Sequence, residues 1–227
     1  MRLYICIGVI GLTLLGMMAS NLYWGASAQM NVEEFVRVRY KHGLPFQEAT
    51  KFGRSSVPVL LRMLADDKER PYWANIVLTL GIIGDDSAID PLINFLEKRF
   101  EGEVDLDTLN ALLTVMPALG HAAYKGNVRA LNYLLTNHTI EKLAAKRINW
   151  RFQKYSGDTL DILLSKMLIR GLAVSAKQSA KDLLVKMQTD PAPEYVRLRQ
   201  QCNSNISEGI DLHQRLLRDG PVATFSN

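Results

Sequence analysis

The strongest constraint in this sequence is the spacing of its apolar residues, which recur every three or four positions. Such spacing places apolar side chains along one face of an α-helix, whereas a half-buried strand would alternate them. Four stripes of this kind lie within 73–83, 89–96, 109–116 and 160–168. No segment alternates apolar and polar residues convincingly, so the sequence predicts an all-α fold.

The stripes also repeat along the chain. Segment 56–64 aligns with 88–96 at a separation of 32 residues, and apolar residues coincide at five positions. A further copy follows at 128–135, and a weaker one at 180–187. A period of about 30–40 residues with two helices in each unit is typical of a solenoid, in which each helix pair buries its apolar face on its neighbours.

The residues of 72–96 carry a family resemblance. Leu80-Gly81 followed by Gly84-Asp85 matches the turn that ends the first helix of a HEAT repeat, and 88–96 matches its second helix. The stretch most resembles the short HEAT-like type also found in phycobilisome lyases. The resemblance implies a right-handed α-solenoid of about four HEAT-like helix pairs, with the second helices lining a concave face. It fades beyond residue 136.

Proline, glycine and polar residues suggest where the domains end. We expect a HEAT-like α-solenoid over 29–190, a C-terminal helical cap over 191–218 and a disordered tail over 219–227. The chain has 48% hydrophobic and 22% charged residues, which excludes a disordered protein and a polytopic membrane protein. The predicted domain is long enough to bury a core without disulfides.

The N-terminus has the features of a secretory signal peptide over 1–28. A positive start is followed by the charge-free apolar run 3–18. Ala26 and Ala28 form the small-x-small pattern of a cleavage site, which predicts cleavage before Gln29. The alternative is an uncleaved membrane anchor, because 3–28 is long enough to span a bilayer. Both interpretations place residues 29–227 outside the cytoplasm, and the signal peptide predicts a periplasmic or secreted chain.

Chemical motifs are absent from the sequence. We find no nucleophile elbow, no zinc-binding helix motif and no phosphate-binding loop. The histidines have no ligand spacing, and His121, which follows a helix-ending turn predicted at Leu119-Gly120, is interpreted as structural or solvated. With Cys6 removed, Cys202 would be a lone thiol. The acidic stretch 101–107 is interpreted as a solvated loop ending in a helix cap, with calcium as the alternative. The sequence thus predicts no catalytic residue, no metal and no cofactor.

The charge pattern is equally mild. A net charge of +4 gives no strong indication of nucleic-acid binding, and we predict none. Two modest basic clusters are interpreted as solvated faces, with an acidic partner or anionic lipid as the alternative. They are Arg37, Arg39 and Lys41, and Lys142, Lys146, Arg147, Arg151 and Lys154. Within the second cluster, Trp150 and Tyr155 are interpreted as core residues, with an interface anchor as the alternative.

These observations favour an exported, non-enzymatic scaffold that binds a protein partner through its concave helical face. Outward positions on the second helices are the expected contacts: Arg62, Asn94, Lys98 and Asn132. One alternative is a small-ligand-binding or lyase-like enzyme, since the lyase resemblance implies chromophore chemistry on a partner. Export argues against it, because those lyases act in the cytoplasm or stroma. The other alternative is a membrane-anchored adaptor, if the signal stays uncleaved.

Overall fold

The fold is that of a computed structural model. It describes residues 30–41, 43–99, 102–144, 148–150 and 159–225, with only the backbone for 98–99, 102–103, 144 and 148–150. The predicted signal peptide, with Ala26, Ala28 and Gln29, therefore lies outside the described residues, as does most of the second basic cluster. Among the helices that are described, none has the length and apolarity needed to cross a membrane.

Helices make up most of the described chain. The α-helices are α1 (Val32–Val36), α2 (Phe46–Ala49), α3 (Val57–Ala65), α4 (Trp73–Ile83), α5 (Ile89–Arg99), α6 (Leu106–Tyr124), α7 (Val128–Thr136), α8 (Ile140–Ala144), α9 (Leu160–Ser175), α10 (Gln178–Thr189) and α11 (Pro193–Phe225). Short 3-10 turns precede α3, α4 and α5, at Arg54–Ser56, Asp67–Tyr72 and Asp86–Ala88. The all-α prediction is confirmed at this level.

One short β-ladder departs from the all-helical prediction. Strand β1 (Gly102–Val104) pairs in parallel with β2 (Ile148–Trp150), with Gly102 opposite Ile148. Each strand has three residues, which is too short for an alternating pattern to stand out in the sequence. The ladder joins two distant connections, so only the tertiary fold brings its strands together.

The sequence has capping-box spacing at Asn31 with Glu34 and at Ser175 with Gln178, and the first of these two predicted capping boxes is present. The Asn31 side chain accepts a hydrogen bond from Glu34 N (2.9 Å), and the Glu34 carboxylate accepts one from Asn31 N (3.4 Å). The second prediction, which used Ser175 to start a helix at Gln178, is wrong. Ser175 ends α9, where its buried hydroxyl donates to Leu172 O (2.7 Å). Residues of this type bond equally well to the preceding turn.

The helices pack in two sets. We call α4, α6 and α9 the first helices, and α3, α5, α7 and α10 the second helices. Along the chain, α4 packs on α6, α6 on α9, and α9 on α11. The second helices pack on this row: α3 on α4, α5 on α6, α7 on α6 and α9, and α10 on α9 and α11.

Glycines allow the first helices to approach backbone to backbone. A Cβ built on Gly81 would collide with Ala118 of α6, and one built on Gly120 would lie 3.0 Å from Gly171 Cα in α9. The sequence suggested that Leu119-Gly120 ends a helix, and this is wrong, because α6 continues to Tyr124. Gly120 is needed for helix contact rather than for a turn. Gly84 is the glycine that ends its helix, with a φ of 68° at the α4 C-cap.

Basic side chains tie the ends of neighbouring first helices together. Lys125 Nζ donates to Ile83 O at the end of α4 (3.1 Å), and Lys177 Nζ donates to Tyr124 O at the end of α6 (3.1 Å). In the same way, His213 Nε2 of α11 lies 3.2 Å from Lys177 O, just after α9. The carboxyl ends of the first helices therefore lie side by side, and these helices run parallel.

The C-terminal segment differs from the prediction. Helix α11 is interrupted at Cys202 (φ −132°) and Gly220 (φ 75°), and a last helical turn follows to Phe225. The Phe225 ring lies 5.2 Å from both Phe46 and His121. The predicted disordered tail over 219–227 is thus wrong for 219–225. The polar, glycine-containing sequence suggested disorder, whereas contact with distant aromatic rings orders this turn.

Candidate functional site

The structure exposes three of the four predicted partner-binding residues. Arg62 lies on α3, Asn94 on α5 and Asn132 on α7, each at a solvent-exposed position. Arg62 pairs with Glu33 at 3.5 Å. No hydrogen bond or ion pair joins the three side chains within the described part of the chain. Lys98 belongs to α5, but its side chain lies outside the described residues.

A second candidate surface, which the sequence did not suggest, is a cleft between α9 and α11 with a volume of about 690 Å³. We call it the α9–α11 cleft. Residues of α9 form one side, and residues of α11 form the other side and the end. The lining comprises Lys166, Met167, Arg170, Asn205, Glu208, Gly209, Asp211, Leu212, Gln214, Arg215, Arg218, Thr224 and Phe225.

The local sequence explains how this cleft forms. A Cβ built on Gly209 of α11 would lie 3.0 Å from Ile169 Cγ2 and 3.8 Å from Ala173 Cβ, so the two helices meet closely at its floor. Gly220, with its positive φ, then redirects the chain so that Thr224 and Phe225 form one end. The cleft is therefore a product of two glycine positions and of the docked last turn.

The α9–α11 cleft carries more positive than negative charge. Its basic residues are Lys166, Arg170, Arg215 and Arg218, and its acidic residues are Glu208 and Asp211. Arg218 is engaged by the neighbouring Asp219 through two hydrogen bonds of 2.8 Å, which lower the pKa of that carboxyl. Arg170 and Arg215 are exposed and have no described carboxylate within ion-pair distance. Arg170 is thus available to an anionic ligand, and so is Arg215, whose charge also lowers the pKa of Asp219 from beyond ion-pair distance.

Helical periodicity places the cleft away from the second helices. On α9, Gly171 contacts α6 and Ile169 contacts α11, which leaves Arg170 and Leu172 on opposite sides of the helix. Arg170 is exposed, whereas Leu172 is fully buried. Because α7 and α10 also pack on α9, they cover the Leu172 side. The α9–α11 cleft therefore opens on the face opposite the second helix that carries Asn132.

The sequence held one signal of this cleft. Lys166 and Arg170 are four residues apart and therefore lie on the same face of one helix.

His121 lies beside this region in a buried aromatic cluster. Its ring is 5.3 Å from that of Phe46 and 5.2 Å from that of Phe225, and 8% of its surface is exposed. Burial lowers the pKa of His121 to about 3, and the positive charges of Arg170 and Lys125 act in the same direction. The imidazole is neutral at physiological pH, so it cannot serve there as a cation for an acidic ligand.

This burial predicts a pH dependence of stability. The folded state favours neutral His121, whereas the unfolded chain takes up a proton below its ordinary pKa of 6.5. The contribution of neutral His121 to the free energy of unfolding is therefore fully present above pH 6.5 and is lost as the pH falls toward 3. We expect His121→Leu to reduce the fall in the free energy of unfolding between pH 7.5 and 5 by about 2 kcal/mol. Urea denaturation at both pH values measures this difference. An equal fall in the free energy of unfolding in the unchanged protein and in His121→Leu would contradict the prediction.

Three other residues that could carry chemistry are His138, Cys202 and Asp105. They are separate from one another, and each is buried or bonded within the fold. His138 bonds to Leu135 O (2.6 Å) and to the Tyr195 hydroxyl (3.1 Å), and Cys202 is fully buried. Asp105, in the acidic stretch, caps α6 through Thr108 N (2.7 Å) and pairs with Arg70 (2.8 Å). Among the described residues, no group of three or more His, Cys, Asp or Glu side chains converges as a metal site.

No protein-family model, curated protein or solved structure matches this chain. The HEAT-like resemblance of 72–96 therefore stays a prediction.

Proposed function

We propose that this chain is an exported, non-enzymatic scaffold that binds a protein partner through a HEAT-like α-solenoid. In this proposal α3 is the second helix of an N-terminal pair. The pairs α4–α5, α6–α7 and α9–α10 follow, and α11 caps the array. Right-handed stacking of about four pairs would give the second helices a common concave surface.

The observation that carries the proposal is that successive first helices make equivalent contacts. A small residue of one helix meets the backbone of the next at Gly81 and again at Gly120. A lysine then reaches back to the end of the previous helix, first Lys125 and later Lys177. Equivalent interfaces between successive units extend an array in one direction, and an extended array offers a long surface for a partner.

The second helices supply the contacts in this proposal. Asn94 and Asn132 are exposed and, among the described residues, have no hydrogen-bond partner for their side chains. An exposed amide can donate and accept hydrogen bonds with another chain without first losing an internal partner. Arg62 adds a guanidinium whose pairing with Glu33 is solvent-exposed and therefore weak.

Site-specific photocrosslinking in the native source tests this surface. A photoreactive residue is placed at Asn94 or at Asn132, and, as a control, at exposed Asn110 on the first helix α6. We expect one polypeptide to be captured from both second-helix positions and not from Asn110. Equal capture from all three positions, or capture from none, would contradict the proposal. N-terminal sequencing of this chain, recovered from the crosslinked product, decides whether the signal is cleaved, with Gln29 expected as its first residue.

A triple variant gives an independent test of the same surface. We expect Arg62→Ala/Asn94→Ala/Lys98→Ala to reduce recovery of the crosslinked partner at least tenfold, about the loss expected when several interface contacts are truncated. The positions of Arg62 and Asn94 are exposed, so the fold should tolerate the changes. Undiminished recovery with an unchanged thermal melting curve would rule out this face.

A further inference from the structure

We propose that the α9–α11 cleft binds an acidic peptide segment that also carries an apolar side chain. The inference rests on the proposed function only in taking the ligand to be part of a protein. It concerns a different face, so the cleft and the second helices can be tested separately.

The charges of the α9–α11 cleft favour an anionic ligand. Arg170 projects from α9 and Arg215 from α11, so the two exposed guanidinium groups stand on opposite walls. Neither has a described carboxylate within ion-pair distance. A guanidinium offers parallel N–H donors that match a carboxylate, and charge-assisted pairs of this kind are the stronger hydrogen bonds. Carboxylates of a ligand lying along the cleft would thus meet one guanidinium from each helix.

Part of the lining of the α9–α11 cleft is apolar. Met167 of α9, buried Leu212 of α11 and the ring of Phe225 line the same space as the two arginines. An apolar side chain placed among them would leave water, which favours binding in proportion to the area buried. Asn205 and Gln214 add amide groups that can pair with a peptide backbone. Cations beside an apolar floor favour an acidic ligand with an apolar group.

The shape and the acidic residues favour a peptide over a membrane surface. The α9–α11 cleft is concave, and its volume of about 690 Å³ is in the range of small-ligand pockets. A flat bilayer would not enter it. Glu208 and Asp211 are exposed in the same lining and repel any anionic group, so a ligand must hold its carboxylates beside the two arginines. Backbone N–H groups of a peptide can instead donate to these carboxylates, so the mixed charge is compatible with an acidic peptide.

Selection from a displayed library of random octapeptides tests the proposal on the purified full chain. We expect the selected peptides to be enriched in Asp and Glu next to Phe, Leu or Met. Their affinity, measured by fluorescence anisotropy, should weaken about tenfold in Arg170→Gln or in Arg215→Gln, the usual loss for one charge-assisted hydrogen bond. It should also fall as salt is raised from 50 to about 500 mM, because the two guanidinium groups are exposed.

A matched control separates the cleft from net charge. Arg170→Glu/Arg215→Glu should abolish binding, whereas Lys51→Glu/Lys68→Glu changes the net charge equally at exposed positions elsewhere and should leave it within twofold. All four positions are exposed, and thermal melts check that each variant folds. Selected peptides without acidic enrichment, or equal affinity in the two double variants, would overturn the proposal.

Two further measurements identify the source of the ligand. If vesicles of phosphatidylglycerol, rather than the peptides, lose binding in Arg170→Glu/Arg215→Glu, the cleft recognises lipid headgroups and the peptide proposal is overturned. Arg62→Ala/Asn94→Ala should leave peptide affinity unchanged. Failure of the second-helix scaffold and failure of the α9–α11 cleft therefore give different results.

Discussion

Replacing Gly171 by alanine is expected to lower the free energy of unfolding by about 3 kcal/mol, at the upper end of the usual cost of overpacking. The added Cβ would collide with the carbonyl oxygen of Met116 and would lie 3.2 Å from Leu134 Cδ2. Alanine gains about 1 kcal/mol over glycine inside a helix. The collision outweighs that gain because a backbone carbonyl, unlike a flexible side chain, can move only if α6 and α9 separate.

Urea denaturation of Gly171→Ala and of Gly120→Ala measures this effect. Gly120 should behave similarly, because its Cβ would lie 3.0 Å from Gly171 Cα and even closer to the Gly171 carbonyl oxygen. The matched control is Gly53→Ala, since a Cβ there meets nothing within 4 Å and its φ of −110° suits any residue. We expect the control to be neutral. A change below about 0.5 kcal/mol at Gly171, within the range of ordinary surface substitutions, would mean that the two helices are not in backbone contact.

Trp73→Ala is expected to cost about 4 kcal/mol, within the range for removing a large buried aromatic side chain. Trp73 begins α4 and is fully buried. Its ring meets Phe95 of α5 edge to face, with centroids 5.3 Å apart, and the Arg70 guanidinium lies 5.3 Å from it. Its removal therefore opens a cavity between a first helix and the second helix of the same predicted repeat.

The same denaturation experiment includes two comparisons for Trp73. Trp73→Phe keeps an aromatic ring against Phe95 and should recover most of the stability. Leu217→Ala removes a side chain from a residue that is 61% exposed and should change stability by less than about 0.5 kcal/mol. If Trp73→Ala and Leu217→Ala cost the same, Trp73 is not a core residue.

Local patterns predicted the elements of this protein well. The stripe that begins at Trp73 became α4, and that at Ile89 became α5. Asn31 and Asp105 cap α1 and α6 as their positions suggested. These features depend on neighbours within about one helical turn, so the sequence contains most of what determines them.

The candidate site was less predictable. Arg62, Asn94 and Asn132 could be placed on exposed helix faces, since helical periodicity decides which side chains point away from the core. The α9–α11 cleft could not be predicted from the sequence, because Arg170 and Arg215 are far apart in the chain. Their neighbourhood depends on the close contact at Gly209 and on the docked turn that ends with Phe225.

The sequence by itself determined that this chain forms helices, where several of them begin, and which faces are apolar. Only the tertiary structure decided that Gly120 serves helix contact rather than a turn, that 219–225 is ordered, and that basic residues of α9 and α11 share a cleft. The physical reason is the separation along the chain of the residues that interact. Helix formation and capping use bonds a few residues apart, whereas these three features use contacts between residues tens of positions apart, which the packed core alone brings together.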